Sequence, residues 1–182
     1  MNPIKELYDR LESQNAWNKT ILLKRNELLK IAGTVDTNLY YILSGSLKIY
    51  FISDSEEHIV RFGYQNNFIT SLDSFITESP SEFYIQAIKQ TQLKSISKPD
   101  YLNFINQNAD NKRLWDTILE QLVLQQLERE KDILITSPQK RFKRVFERSP
   151  QLFQEIPNKH IASYLRMSPE TLSRLKSLDF NQ

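Results

Sequence analysis

The sequence contains no cysteine among its 182 residues. This absence excludes a disulfide framework, a thiolate nucleophile and a zinc site with cysteine ligands. It also excludes an iron–sulfur cluster, because cysteine thiolates are the main ligands of such clusters. The only two histidines, His58 and His160, lie far apart in the sequence. We expect His58 to be a solvated strand residue near a hairpin, and we predict no metal and no cofactor.

Glycine and long hydrophobic runs are also scarce. The three glycines, Gly33, Gly45 and Gly63, fall between strand-like runs or at their ends, where turns need them. No apolar run approaches the roughly 20 residues that cross a bilayer, and the charged, amphipathic N-terminus does not resemble a signal peptide. We therefore predict a cytoplasmic protein without membrane contact. Paired carboxylates, a nucleophile–base set and a glycine-rich phosphate loop are missing too, which argues against an enzyme.

The body of the chain is predicted to be a short helix over residues 3–13 followed by strands. Seven runs rich in β-branched and aromatic residues have the spacing of a compact barrel or sandwich. They are Thr20–Lys24, Leu28–Ile31, Leu39–Leu43, Leu47–Ile52, His58–Phe62, Phe83–Ile88 and Leu93–Ser97. We divide the chain into a sensor domain over residues 1–109, a helix over 110–136 and a C-terminal domain over 137–182.

The predicted helix over 110–136 carries an apolar stripe at steps of three and four residues. The stripe is broad enough to contact the chain's own barrel on one side and the same helix of a second copy on the other. It consists of Trp115, Ile118, Leu119, Leu122, Val123 and Leu127. We predict that these residues form a homodimer interface. Ser137-Pro138 ends the helix, since a residue before proline is biased away from helical backbone angles.

The C-terminal segment predicts two short helices joined by a sharp turn. Pro157 can open the first helix, and Ser168 can cap the second, in which Pro169 takes the first position. Leu172 and Leu175 then face inward, and the opposite face is left for base edges and phosphates. The candidate DNA-binding residues are Lys159, His160, Ser168, Pro169, Glu170, Ser173, Arg174 and Lys176. An ordinary helical hairpin is the alternative interpretation of this pattern.

Charge is distributed unevenly along a chain whose net charge is only +2. From residue 137 to residue 182, nine basic residues stand against four acidic ones, whereas the rest of the chain has fifteen basic and eighteen acidic residues. Phosphate neutralisation supplies most of the non-specific affinity for nucleic acid. A basic C-terminal segment on an acidic body therefore favours duplex DNA as the partner of this end of the chain.

Two stretches of this sequence resemble the Crp/Fnr superfamily of bacterial transcription regulators. The run His160–Arg174 is similar to its helix-turn-helix, and the resemblance implies base contacts for Glu170 and Arg174. Residues 22–97 resemble its cyclic-nucleotide-binding β-roll, on the pattern Gly33-x6-Tyr40-Tyr-Ile42-x2-Gly45-x2-Lys48-x-Tyr50. The segment Asn67–Phe75 resembles the Bacteroidetes-type branch of the family.

The resemblance implies an α+β fold with three parts. These are an N-terminal double-stranded β-helix, a long dimerisation helix and a C-terminal helix-turn-helix. It implies a homodimer that binds a palindromic site in double-stranded DNA, and it admits RNA polymerase as a further partner. The family usually continues into a β-hairpin wing, which we expect this chain to lack because it stops at Gln182. The alternative function is therefore a ligand-binding or protein-interaction module that has lost DNA binding.

A further departure from the family is Arg166, which stands where many members have glycine in the tight turn. The ligand site departs as well. Cyclic-nucleotide binders of the family hold the phosphate with an arginine, and Ser81 followed by Glu82 replaces it here. A phosphate needs a cation or aligned amides, so we predict that cyclic AMP does not bind. The candidate pocket for an unknown small-molecule effector is Thr70, Ser71, Phe75, Ser81, Phe83 and Tyr84, unless these aromatic residues only fill the barrel core.

Overall fold

The structure is a computed structural model that describes residues 2–179. The described helices are α1 Pro3–Ser13, α2 Leu72–Thr77, α3 Lys98–Ile105, α4 Ala109–Leu134, α5 Pro138–Arg148, α6 Pro150–Glu155, α7 Asn158–Tyr164 and α8 Pro169–Asp179. The described strands are β1 Lys19–Leu23, β2 Leu28–Lys30, β3 Leu39–Ser44, β4 Ser46–Ser53, β5 Glu56–Tyr64, β6 Phe68–Ile69, β7 Tyr84–Ala87 and β8 Thr91–Ile96. No helix within residues 2–179 is long and apolar enough to span a membrane.

The strands form two four-stranded antiparallel sheets that share one core. One sheet has the order β1-β8-β3-β6 and the other has the order β2-β7-β4-β5. Buried side chains from both sheets meet between them, among them Ile42 and Leu93 from the first sheet and Leu47 and Ile85 from the second. The predicted α+β class with an N-terminal β-roll is confirmed.

The turn from β3 to β4 depends on Gly45. Its backbone has φ +91°, and a Cβ atom added there would lie 2.4 Å from the carbonyl oxygen of Gln90. Only glycine combines this left-handed conformation with so close an approach of another backbone segment.

A second core joins α1 and α3 to α4. Asn2 caps α1, because its Oδ1 accepts a hydrogen bond from the amide of Ile4 at 3.0 Å. Leu7 and Leu11 of α1 are buried with Leu114 and Ile118 of α4. The first half of α4 is therefore anchored on its own chain.

The helices α5 to α8 form a third core, which also includes residues of the β-roll. Phe142, Ile161 and Leu172 are almost fully buried in it, and Ile88 of the β-roll belongs to the same cluster. The C-terminal domain is therefore packed against the sheet that contains β7, β4 and β5.

All seven predicted strands are present, with ends that differ by one or two residues. The sequence did not predict β6, α2, α3, α5 and α6. β6 is two residues long and α2 has six, which is too short for a periodic pattern to be visible. α3 could have been found from Ser97, whose side chain caps the helix, and from Pro99 in its first turn. The helix predicted over 110–136 is α4, and it ends at Leu134 because Ile135 is extended.

Candidate nucleic-acid interface

The two short helices that the sequence predicts at this end of the chain are α7 and α8. Ser168 caps α8, since its Oγ accepts a hydrogen bond from the Thr171 amide at 3.2 Å. Leu172 is fully buried and Leu175 is 7% exposed, so one face of α8 packs inward. The opposite face is left for a partner.

The opposite face of α8 carries most of the predicted DNA-binding residues. Pro169, Glu170, Ser173 and Arg174 are exposed, as are Ser168 before them and Lys159 on α7. Lys176 is only partly exposed, because its Nζ donates a hydrogen bond to Asn158 Oδ1 at 3.0 Å. Of the two predicted basic residues on α8, Arg174 is therefore the one that remains exposed.

Glu170 is held at the start of α8. Hydrogen bonds from its own backbone amide and from the Ser168 side chain lower the pKa of its carboxyl group. The carboxylate thus stabilises the first turn, where the helix dipole also favours negative charge. A base contact by Glu170 would have to replace these local hydrogen bonds.

The tight turn before α8 is supported by an arginine that sequence reasoning missed. Arg166 adopts φ +51°, the left-handed conformation for which glycine would be the easy residue. The buried Arg141 of α5 donates hydrogen bonds from Nη2 to the Arg166 carbonyl oxygen at 2.9 Å and from Nε to the Leu165 carbonyl oxygen at 2.5 Å. These bonds satisfy two carbonyl groups at the end of α7. The sequence signal for this role was that the basic residue Arg141 directly precedes the apolar Phe142.

His160 does not lie on the exposed side of α7, which corrects the prediction made from the sequence. It is half-buried. Burial, together with the nearby cations Lys48 and Lys159, lowers the pKa of His160 to about 4. Lys48 lies on β4, so the imidazole is close to the β-roll rather than free to approach a phosphate.

This environment makes the stability of the folded chain depend on His160 in mildly acidic solution. Because the pKa of His160 is about 4 when folded, against 6.5 ordinarily, the unfolded state binds more protons between these values. Stability from this group is therefore fully present above pH 6.5 and is lost as the pH falls toward 4. We expect His160→Gln to reduce the fall in urea midpoint between pH 6.5 and pH 5, whereas His58→Gln leaves it unchanged. Equal pH profiles for wild type and His160→Gln would refute this assignment.

The predicted effector pocket contains an acid that the sequence analysis overlooked. Asp73 Oδ1 accepts a hydrogen bond from Ser71 Oγ at 3.0 Å. Burial acts to raise the pKa of Asp73, but hydrogen bonds from the Ser81 side chain, the Ser74 amide and Ser71 outweigh it and lower the pKa. Ser71 and Ser81, both buried, are therefore brought together by a carboxylate of the chain itself.

The buried Lys30 lies behind this segment. Its Nζ donates hydrogen bonds to the carbonyl oxygens of Ser81 at 3.2 Å and Phe83 at 2.8 Å. Burial lowers the pKa of Lys30, while the charges of Asp73 and Asp36 act in the opposite direction. The cation is thus already engaged by carbonyl groups and carboxylates of the same chain.

The other predicted pocket residues do not converge on one cavity. Tyr84 alternates with Ile85, which faces the barrel core, so Tyr84 lies on the outer face, where its ring stacks on Tyr50 at 5.1 Å. Including Tyr84 in an internal pocket was wrong. Phe75 belongs to the core beneath α3 and α4. Phe83 packs against the barrel core, and Thr70 Oγ1 donates to the Asn38 carbonyl oxygen at 2.8 Å.

Comparison with known proteins identifies the first half of the chain. Residues 20–108 match the model of the cyclic nucleotide-binding domain. A search of curated proteins gives no significant sequence match.

Several solved structures share the fold of nearly the whole chain. FixK2 from Bradyrhizobium japonicum superimposes with a TM-score of 0.73 at 16% identity, covering 90% of this chain and 85% of FixK2. The c-di-GMP-responsive global regulator CLP of Xanthomonas campestris gives a TM-score of 0.67 at 18% identity, covering 96% and 92%. The catabolite activator protein of Thermus thermophilus gives 0.59 at 18% identity, covering 97% and 86%. All three are under 25% identical to this chain, and they confirm the resemblance predicted from the sequence at the level of the fold.

The predicted dimerisation stripe lies on α4, beyond the cyclic nucleotide-binding domain. Its first part is buried or half-buried, and its second part is exposed. Ile118 is 9% exposed and packs on its own chain, and Trp115 is half-buried with its ring 5.1 Å from that of Tyr101. Leu119 and Leu122 are also half-buried. The apolar side chains left exposed in the second half of α4 are Val123 (59%), Leu124 (62%), Leu127 (49%) and Leu134 (73%). This set defines the exposed stripe of α4.

A buried ionic cluster connects the second half of α4 to α5. Asp132 is fully buried, and its two carboxylate oxygens accept hydrogen bonds from Arg144 Nε at 3.1 Å and Arg148 Nη2 at 2.5 Å. Glu128 also contacts Arg144, at 2.7 Å. The signal in the sequence was the repeated spacing of four residues, with Glu128 and Asp132 on one helix and Arg144 and Arg148 on the next.

Within residues 2–179 no group of three or more acidic or histidine side chains could hold a metal ion.

Proposed function

We propose that this chain is a DNA-binding transcription regulator of the Crp/Fnr type. It acts in the cytoplasm as a homodimer that reads a palindromic site in duplex DNA with α8. The observation that carries the proposal is the geometry of α8. Its apolar face is buried through Leu172 and Leu175, whereas Glu170, Ser173 and Arg174 are exposed on the opposite face.

The electrostatic pattern supports the same proposal. Residues 137–182 contain nine basic and four acidic side chains. Three of the basic side chains already interact within the chain. Arg141 supports the turn, and Arg144 and Arg148 pair with Asp132. We therefore assign recognition of the base sequence to Arg174. Lys159 and Lys176 are assigned to contacts with the phosphate backbone.

The test of this function is duplex binding by an Arg174→Ala variant. Arginine recognises guanine through two parallel hydrogen bonds, so we expect a loss of about 1–3 kcal/mol, or about 5- to 150-fold in Kd. Discrimination should relax at one base pair of the site. The measurement is fluorescence anisotropy at several salt concentrations, with duplexes drawn from the DNA upstream of the coding sequence and with scrambled duplexes.

Arg113→Ala is the matched control, because Arg113 is an exposed arginine paired with Asp110 on α4, far along the chain from α8. We expect the control to bind like wild type. If Arg174→Ala binds specific and scrambled duplexes as the parent does, the assignment of α8 as the reading helix is wrong. If the parent shows no preference for any duplex, a ligand-binding or interaction module becomes the better description.

We further propose that the sensor domain does not bind cyclic AMP or cyclic GMP. Ser81 stands where a phosphate-pairing arginine is needed, and Asp73 already accepts hydrogen bonds from Ser71 and Ser81. A carboxylate in that position repels a cyclic phosphate in a partly desolvated site. We expect calorimetric titration with either nucleotide to give no binding heat up to about 1 mM, the weak end of specific affinity. A micromolar Kd that disappears in Ser81→Trp would contradict this expectation.

A further inference from the structure

Two arginines meet around one tyrosine where the β-roll contacts the helix-turn-helix domain. The Cζ atom of Arg129, on α4, lies 3.6 Å from the centroid of the Tyr164 ring, and its Nη2 donates to the Tyr164 carbonyl oxygen at 2.6 Å. Arg61, on β5, also interacts electrostatically with Tyr164. The Tyr164 ring lies 5.2 Å from that of Phe62. We call Arg61, Phe62, Arg129 and Tyr164 the junction.

Neither junction arginine forms an ion pair with a carboxylate of residues 2–179. Arg61 Nη2 donates instead to the neutral amide oxygen of Gln125 at 2.8 Å. The negative charge of Asp132 acts on Arg129, but both Asp132 carboxylate oxygens accept hydrogen bonds from Arg144 and Arg148. The junction therefore contains two arginines that form no direct ion pair within the described residues.

Burial makes this arrangement costly. It lowers the pKa of both Arg61 and Arg129. The Nη1 atom of Arg129 is shielded from solvent and has no hydrogen-bond partner within the described part of the chain. Buried polar groups in folded proteins almost always have a partner, and an unpaired buried charge is strongly unfavourable. A group that supplies negative charge and hydrogen-bond acceptors at this place would remove the cost.

We propose that the junction is a binding site for an oxyanion of the phosphate class, held between the guanidinium groups of Arg61 and Arg129. Guanidinium presents a planar set of donors that matches phosphate oxygens in pairs. The site is separate from the serine-rich segment of the β-roll. It draws one arginine from the sensor sheet and one from α4, next to a tyrosine of the helix-turn-helix. Occupation would therefore change how firmly the DNA-binding domain is held against the sensor.

The burial of Arg129 Nη1 restricts access to the site. Since solvent does not reach this atom, and the Arg129 guanidinium lies against the Tyr164 ring, the proposal requires α7 to separate slightly from β5 for an anion to enter. The phosphate group can belong to a small free ligand or to the backbone of bound DNA. Both sources share the same chemistry at the two arginines.

The test is calorimetric titration of the full chain with inorganic pyrophosphate, using wild type, Arg61→Gln, Arg129→Gln and the control Arg113→Gln. We expect wild type and the control to bind with equal affinity and both junction variants to bind at least about tenfold more weakly, because a hydrogen bond to a charged group contributes that much. Circular dichroism verifies that each variant is folded. If a glutamine variant does not fold, Arg61→Lys and Arg129→Lys replace it, since they keep the charge and remove the paired donors.

A second measurement distinguishes the two sources of phosphate. If pyrophosphate gives no heat but both junction variants lower the salt dependence of duplex binding by about one phosphate contact, the DNA backbone is the ligand. If the junction variants match wild type in both measurements, the proposal is overturned. Pyrophosphate binding does not require DNA recognition by α8, so Arg174→Ala should retain it even if the proposed DNA-binding function proves wrong.

Discussion

Replacing Leu127 with glutamate should convert the proposed dimer into monomers at micromolar concentration. Leu127 is 49% exposed and lies between Leu124 and Leu134 on the exposed stripe of α4. In a twofold interface the substitution appears on both copies, so two carboxylates would be brought together in an apolar contact. Uncompensated buried charges of this kind cost several kcal/mol each, more than most interface side chains contribute. Sedimentation equilibrium measures the change directly.

The matched control is Gln126→Glu, which adds the same charge at the neighbouring exposed position of α4. We expect this variant to remain dimeric. Leu122 is a less selective position for the test, because it is half-buried and a charge there would also disturb packing within the chain. A wild-type chain that sediments as a monomer at micromolar concentration, or a Leu127→Glu variant as dimeric as the control, would show that this stripe is not the interface.

Removing the carboxylate of Asp132 should cause the largest loss of stability among these variants. Its side chain is fully buried between Arg144 and Arg148, and removal of one partner of a buried ion pair typically costs about 3–5 kcal/mol. The two guanidinium groups are about one-third exposed (37% and 32%), so they can be partly hydrated. We therefore expect Asp132→Ala to lose about 3 kcal/mol, the low end of that range.

Urea denaturation followed by circular dichroism measures this loss. Asp110→Ala is the control, since Asp110 forms an exposed pair with Arg113 and such pairs contribute at most about 1 kcal/mol. Similar losses in the two variants would mean that the ionic cluster between α4 and α5 is not a main support of the C-terminal helices α5 to α8. A loss confined to Asp132→Ala would link the position of these helices to the second half of α4.

The sequence by itself determined the elements whose signals are local. Runs rich in β-branched and aromatic residues marked seven of the eight described strands, because these side chains favour extended backbone. The cap at Ser168, followed by Pro169, marked the start of α8, and Ser137-Pro138 marked the end of α4. The inward positions of Leu172 and Leu175 followed from helical spacing alone. All of these features depend on residues within a few positions of each other.

Only the tertiary structure decided which side chains share an environment. His160 looked exposed on its helix, but the packing of the helix-turn-helix domain on the sensor sheet half-buries it near Lys48. Asp73 and Ser81 are eight positions apart in the sequence and form a hydrogen bond only because the chain turns back between α2 and β7. Arg61, Arg129 and Tyr164 come from three different elements, β5, α4 and α7, and the two arginines act on the same tyrosine. Burial and the sum of neighbouring charges come from contacts distant in sequence, and no local periodicity encodes them.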